Sequence, residues 1–310
     1  MGEDSDLDYR YSQGVLTSFD VDVVHVAEPH LDMLLGTKGA APYQRVLASS
    51  IFVRNLRRNK ISLVQTLWNE SKSEEGRMTR IARRILDKAT DAFIVFDASV
   101  NSPNPKRTAV VPHAHFGDRF VGYPRRTKIS GRVACLAHGY LPLAAKGLLG
   151  ISRVTDADVT LRLAGAATKN LSNAITSAVA ERPTRVSARL ERLSDAALVQ
   201  EITTAELVVL PRLETLEDLQ MVFFALSMDR PVLTVRSPSL NALSASVGEG
   251  WLHLSESAIT ARDVDSALAA SRQVSRTPSP NLAGRDLSTI RNQYETIFRR
   301  VTRRDTSLTG

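Results

Sequence analysis

Three stretches of this 310-residue chain carry side chains that could hold a charged ligand. In VVPHAHFGDRF, His113 and His115 stand two residues apart, so both can point to one side of an extended segment, with Asp118 close behind. Imidazoles there could donate to phosphate or sugar hydroxyls. A metal ion would need a further ligand that the sequence does not place, and a purely structural loop is the plain alternative. In HGYLPLAAKGLLGI, Gly139 lets the backbone come close to a ligand. Lys146, just before Gly147, is the lone cation of an apolar stretch. It is either a point charge for a phosphate or a snorkelling surface lysine. In LPRLETLEDLQMVFFALSMDRPVLTV, Glu214, Glu217 and Asp218 crowd a loop and helix start of the kind that often holds an anion. Thr215 and Asp218 have capping-box spacing, with Asp a shorter partner than the usual Glu. A carboxylate there takes up the N–H groups a phosphate needs. At ~4 Å it also repels a phosphate charge by roughly 1 kcal/mol in water and about 4 kcal/mol at intermediate dielectric.

The elements that must position these residues alternate between short apolar runs and helical segments. Strands are expected at Val21–Ala27, Ile61–Leu67, Ala92–Asp97, Thr108–His113, Gly131–Ala137, Asp158–Gly165, Arg185–Leu190, Ala205–Pro211 and Pro231–Val235. Continuous Val, Leu and Ile runs indicate strands buried on both faces, hence α/β folding on parallel sheets. Past Trp251 the pattern turns helical, ending in an amphipathic segment with Leu287, Ile290, Tyr294, Ile297 and Phe298 in step. The run RFVGYPRRTKISG, with its Gly, Pro and cations, reads as a linker. It divides the chain into 1–128 and 129–310, two doubly wound domains facing a cleft. Ligands belong at the C-terminal ends of such strands. The pairs Asp20–Asp22 and Asp156–Asp158 precede their strands and read as polar turns rather than metal ligands.

Composition narrows the classes. The single Cys135 excludes an internal disulfide framework and a multi-cysteine zinc site, and its apolar surroundings suggest a buried, inert thiol. There is no GxGxxG after a strand, no P-loop, no G-x-S-x-G and no H-E-x-x-H. No metal and no cofactor are called for. No apolar run is long enough to span a bilayer and the start lacks a signal-peptide core, so a soluble cytoplasmic chain is expected. The net charge is +7, with two basic foci: Arg45, Arg54, Arg57, Arg58 and Lys60, then Arg77, Arg80, Arg83, Arg84 and Lys88. Both lie on amphipathic helical patterns that could rest on an anionic inner-membrane face, or simply be solvated. No aromatic-interleaved basic groove supports a nucleic-acid partner.

The order of motifs carries a resemblance. DVVHVAEP, LVQTLWNE, DAFIVFD, VVPHAHFGD, HGYLPLAAKG, LRLAG, AELVVLPRLETLEDLQMVFFALSMDRPVLTV and VGEGWLHL follow one another. The series resembles GT-B-fold sugar-nucleotide glycosyltransferases, specifically bacterial enzymes resembling GDP-mannose:glycolipid β-mannosyltransferases of exopolysaccharide assembly. The likeness covers about Asp20 to Leu254; AELVVLP with ALSMDRPVL is its most specific part. It implies two Rossmann-like domains, with a lipid-linked or polysaccharide acceptor on the first and a nucleotide sugar, GDP-mannose by this likeness, on the second. The terminal helix would cross back to the first domain. It also implies that His115 and Lys146 contact donor phosphates, and that Asn69 and Glu74 sit near the acceptor, with Glu74 the base.

The sequence departs from that family at several points. Only about twenty polar residues precede DVVHV, so the acceptor domain is expected to be truncated. Trp68 and Ser73 stand where the family has His, with Asn69 and Glu74 retained. The Arg of an Arg-Pro-Tyr-Lys-Gly pattern is gone, while Lys146 and Gly147 persist. His113-Ala114-His115 replaces His-Gly-His. Aligned on DRPVL, Glu217, Asp218 and Leu219 occupy an Asn-Ser-Gly position, and Leu216 and Phe224 the two Glu positions of an alternative pattern. Two readings follow: a hexosyltransferase, or a catalytically impaired homologue that binds or partners.

Overall fold

The structure is a computed structural model that describes residues 20–27, 35, 37, 41–67, 76–152, 158–213, 216–273 and 277–306. By its contacts the chain forms two compact units: Met1–His113 with Ser288–Gly310, and Ala114–Leu287.

In the first unit β1 (Val23–Val26), β2 (Ser62–Leu67), β3 (Ala92–Val95) and β4 (Thr108–Val110) make a parallel sheet in that order. Helix α1 (Pro42–Arg58) starts with Pro at its first turn, where the missing N–H costs nothing. It buries Ser49, Phe52, Val53 and Leu56, the spacing of one helical face. With Ala82 and Leu86 of α2 (Arg77–Ala89), these residues cover Val24, Val26 and Leu63. Two of the polar groups inside are paired: Gln65 donates to Thr90 Oγ1 at 2.5 Å, and His25 Nε2 meets Thr66 Oγ1 at 2.8 Å. Burial lowers the His25 pKa to about 4. The C-terminal helix, Leu287–Thr306, sets Tyr294 and Phe298 against the His25 ring, centroids 5.5 Å away in each case.

The second unit runs β5 (Arg132–Tyr140), α3 (Ala145–Ile151), β6 (Thr160–Ala166), α4 (Lys169–Glu181), β7 (Val186–Arg189), α5 (Asp195–Thr204) and β8 (Leu207–Leu210). It continues with α6 (Leu216–Ser227), β9 (Val232–Val235), α7 (Pro238–Val247), β10 (Leu252–Ser255) and α8 (Ala261–Ser271). The C-terminal helix is therefore α9. The six-stranded parallel sheet has the order β10-β9-β8-β5-β6-β7. Leu148 of α3, Leu171 and Ile175 of α4, and Val264 and Leu268 of α8 share one core with β5, β6 and β8. Glu206, just before β8, accepts from the Gly131 amide at 2.6 Å and from Arg272 at 2.8 Å. Gly131 has φ +72, and a Cβ there would come within 2.1 Å of the Asp158 carbonyl, so no side chain fits.

Fold class and all nine expected strands are present. β10 is a tenth, hidden in four residues beside the fully buried Trp251. The units part at 113/114 rather than 128/129. The reason is that Phe116 stacks on Phe224 at 4.2 Å, Phe120 lies 5.0 Å from Phe224, and the Arg126 amide donates to Thr203 Oγ1. The linker-like composition hides two docked aromatics. Residues 288–306, the terminal helix expected to cross back to the first domain, group with the first unit.

Candidate functional site

The sheet of the second unit reverses direction between β5 and β8: β6 and β7 extend to one side, β9 and β10 to the other. A crevice opens at the C-terminal ends of strands where such a reversal occurs, because successive crossovers leave in opposite directions. Both of the more informative sequence stretches meet there. β5 ends at Gly139 and Tyr140, and α6 begins with Glu217 and Asp218. A Cβ at Gly139 would stand 3.6 Å from Glu217 Oε2, so this glycine faces the acidic helix start across ordinary contact distance. Burial, with the charge of Asp218 second, pushes the Cys135 thiol up to about 12, which makes it inert. Lys146 lies exposed in the first turn of α3, beside an exposed Gly147. The end of β5 shifts register between Leu136 and Tyr140, and Gly165 makes room for it: at φ +141, its Cβ would meet the Ala137 carbonyl at 2.9 Å.

Three residues not anticipated as ligand contacts complete this corner. His138 Nε2 lies 3.4 Å from Asp195 Oδ1, and Arg119 Nη2 donates to Asp195 Oδ2 at 2.9 Å. Asp195 opens α5, capped by Ser194, whose Oγ accepts from the Ala197 amide. The sequence held a hint in Ser194-Asp195, a helix-start signature, and in His138 next to Gly139.

The other expected site residues are not gathered here. The His115 amide donates to the Arg285 carbonyl, and the next amide, Phe116, donates to Ser227 Oγ at the far end of α6. That is roughly 15 Å along the helix from Glu217. The Gly117 amide donates to His115 Nδ1 at 3.0 Å, which puts the ring proton on Nε2. His113 closes the first unit, buried with its ring edge-on to Phe96 at 5.3 Å. Asn69, Glu74 and Glu214, and the capping residue Thr215, lie outside the described residues. Among the described residues, no three His, Cys, Asp or Glu side chains could together hold a metal, and no helix is long and apolar enough to cross a membrane.

A cavity of about 820 Å³ lies elsewhere in this unit, over β10 between α7 and α8. Its Arg236 is engaged by Glu256 at 2.8 Å and by Asn241 at 2.9 Å.

No protein-family model matches the chain. It is 30% identical over 271 residues to a GDP-mannose:glycolipid 4-beta-D-mannosyltransferase of Xanthomonas campestris pv. campestris, spanning 86% of this chain and 76% of that protein. Among solved structures it resembles Anabaena HepE in complex with UDP and glucose, with a TM-score of 0.58, 13% identity, and coverage of 89% of this chain and 77% of the other. It also resembles an alpha,alpha-trehalose-phosphate synthase (UDP-forming) from Burkholderia xenovorans, with a TM-score of 0.54, 12% identity, and coverage of 80% and 70%.

Proposed function

The chain belongs to the GT-B glycosyltransferase family that includes GDP-mannose:glycolipid 4-beta-D-mannosyltransferases, and from that premise we propose that it transfers mannose from GDP-mannose to a glycolipid acceptor. The observation that carries the donor half is the strand reversal at β5 and β8, with Gly139 opening the backbone at its mouth. A nucleoside diphosphate leaving group gains charge as the glycosidic bond breaks, and donors fixed beside it stabilise that charge. Lys146 and the cations near Gly139 are the groups available for this. On the acceptor side, Glu74 is the base and Asn69 its neighbour, roles that rest on the sequence match alone. Such a base must come within hydrogen-bond reach of the acceptor hydroxyl. His115 is given no part at the crevice, because its backbone is fastened at the other end of α6.

Calorimetry with GDP, UDP and their mannose and glucose conjugates tests this reading. Saturable binding, tightest for GDP-mannose, is expected. No binding at about 1 mM nucleotide, a free energy weaker than about 4 kcal/mol, overturns it. A second reading, a homologue that keeps the fold and has lost turnover, is favoured by Glu217 facing Gly139. It predicts nucleotide binding without mannose transfer to any glycolipid extract.

The first unit supports a membrane-surface role. Tyr43, Leu47 and Ile51 are exposed at four-residue spacing on α1, and Arg54 and Arg58 continue the stripe. Arg77, Arg80, Arg84 and Lys88 are exposed on α2, which packs beside α1. Apolar side chains flanked by cations suit an anionic headgroup layer. The chain should sediment with phosphatidylglycerol vesicles and not with phosphatidylcholine vesicles, and Leu47→Asp with Ile51→Asp should release it. Equal behaviour with both vesicles would count against the idea.

A further inference from the structure

We infer that His138 and Arg119, gathered on one carboxylate by Asp195, form the diphosphate grip of the donor site, in place of the N-terminus of α6. The inference rests on the donor-site reading above and names the groups that replace the usual ones. Three observations carry it.

The first is place. His138 directly precedes Gly139, the residue that faces the start of α6 at the strand reversal. Arg119 reaches the same corner from the segment that Phe116 and Phe120 dock onto Phe224. Its guanidinium also lies 5.5 Å from the Phe120 ring centroid, which limits its swing.

The second is unused donor capacity. Asp195 spends one oxygen on the imidazole and one on the guanidinium, at 3.4 Å and 2.9 Å. A guanidinium has five N–H donors and Asp195 takes one of Arg119's. The His138 and Arg119 side chains are 56% and 53% exposed, so a ligand can reach both. A planar fork beside an imidazole matches the non-bridging oxygens of a diphosphate. Asp195 holds the imidazole and the guanidinium side by side.

The third is exclusion of the ordinary route. Glu217 and Asp218 place two carboxylates in the first turn of α6, where backbone N–H groups would otherwise receive the phosphates. An anion at this crevice is repelled from that side and drawn to the His138 and Arg119 side.

The test is calorimetry of the full chain with GDP, UDP and the bare nucleosides guanosine and uridine. Arg119→Met and His138→Gln should each weaken nucleoside diphosphate binding about tenfold, or about 1.4 kcal/mol, and leave nucleoside binding unchanged. Arg119→Lys should recover part of the loss, since it restores charge but not the fork. Arg236→Met, a charge-matched control in the cavity over β10, should change neither. Thermal midpoints exclude misfolding; if His138→Gln fails to fold, the two Arg119 variants decide the matter. Diphosphate affinity equal to the parent's in both neutralised variants overturns the grip and leaves the donor site standing. Equal losses for nucleosides and diphosphates overturn it too, because they mark a structural role. If the parent binds no nucleotide, the donor-site reading falls and the grip falls with it.

Discussion

Replacing Glu206 by Gln should lower the unfolding free energy by about 2–4 kcal/mol near neutral pH, the largest effect expected of any single change made without touching the crevice. Glu206 is 4% exposed and joins three separate stretches of chain: the Gly131 amide at 2.6 Å, Arg272 at 2.8 Å and Lys128 at 3.6 Å. Breaking a buried pair leaves charge without its partner at a typical cost of about 3–5 kcal/mol. Arg272 and Lys128 are half in water, which trims the loss. Burial alone would raise this carboxyl. Hydrogen bonds from Arg272 and Gly131, and then the charges of Arg272 and Lys128, outweigh it and lower the pKa to about 2. The folded value lies below the ~4.3 of a free glutamate. The stabilisation is therefore complete above that value and is lost as pH falls through about 2. Urea unfolding of parent and variant should differ most at neutral pH and converge in acid. A variant with the parent's midpoint at neutral pH, or a gap that ignores pH, would refute the assignment.

Neutralising the start of α6 with Glu217→Gln and Asp218→Asn should raise the affinity for GDP and UDP by about ten- to a hundredfold. Glu217 is exposed and Asp218 half-buried, so the relief per carboxylate lies toward the watery end of the roughly 1–4 kcal/mol range. Leu219 must be left alone. It is buried, and glycine there would empty part of the core and cost about 1 kcal/mol in helix propensity besides. The pair should lose about 0.3–1 kcal/mol of helix-dipole stabilisation, visible as a small drop in thermal midpoint. Unchanged affinity would show that the acids are not the obstacle. A fall would show that they hold the ligand and would overturn this account of the crevice.

Much of the fold was legible because burial leaves a local trace. AELVVLP and PVLTV are apolar on every side chain, as strands covered on both faces must be, and both are strands. β10 escaped because LHLS mixes polar and apolar residues on an edge strand, where one side needs no partner. The site was legible only in part. Gly139 and Glu217 announced themselves by position after a strand and at a helix start. Arg119, His138 and Asp195 did not, because three distant segments bring them together and no spacing rule links residues 119 and 195. His115 shows the converse: a histidine after a strand looks poised for a ligand, but only the structure shows that the backbone of residues 115 and 116 is fastened to Arg285 and Ser227.

The first unit takes its C-terminal helix from beyond the whole of the second: Ser62 Oγ donates to the Val301 carbonyl, and Tyr294 and Phe298 cover His25. On a ribosome this fixes an order of events. Residues 114–287 form an uninterrupted stretch whose sheet can close as soon as it clears the exit tunnel. The β1–β4 sheet emerges earlier but must wait for the cover that Tyr294 and Phe298 give His25 of β1 until α9 has been translated. The half made first is the half finished last, and during that interval it is the part of the nascent chain most in need of a chaperone.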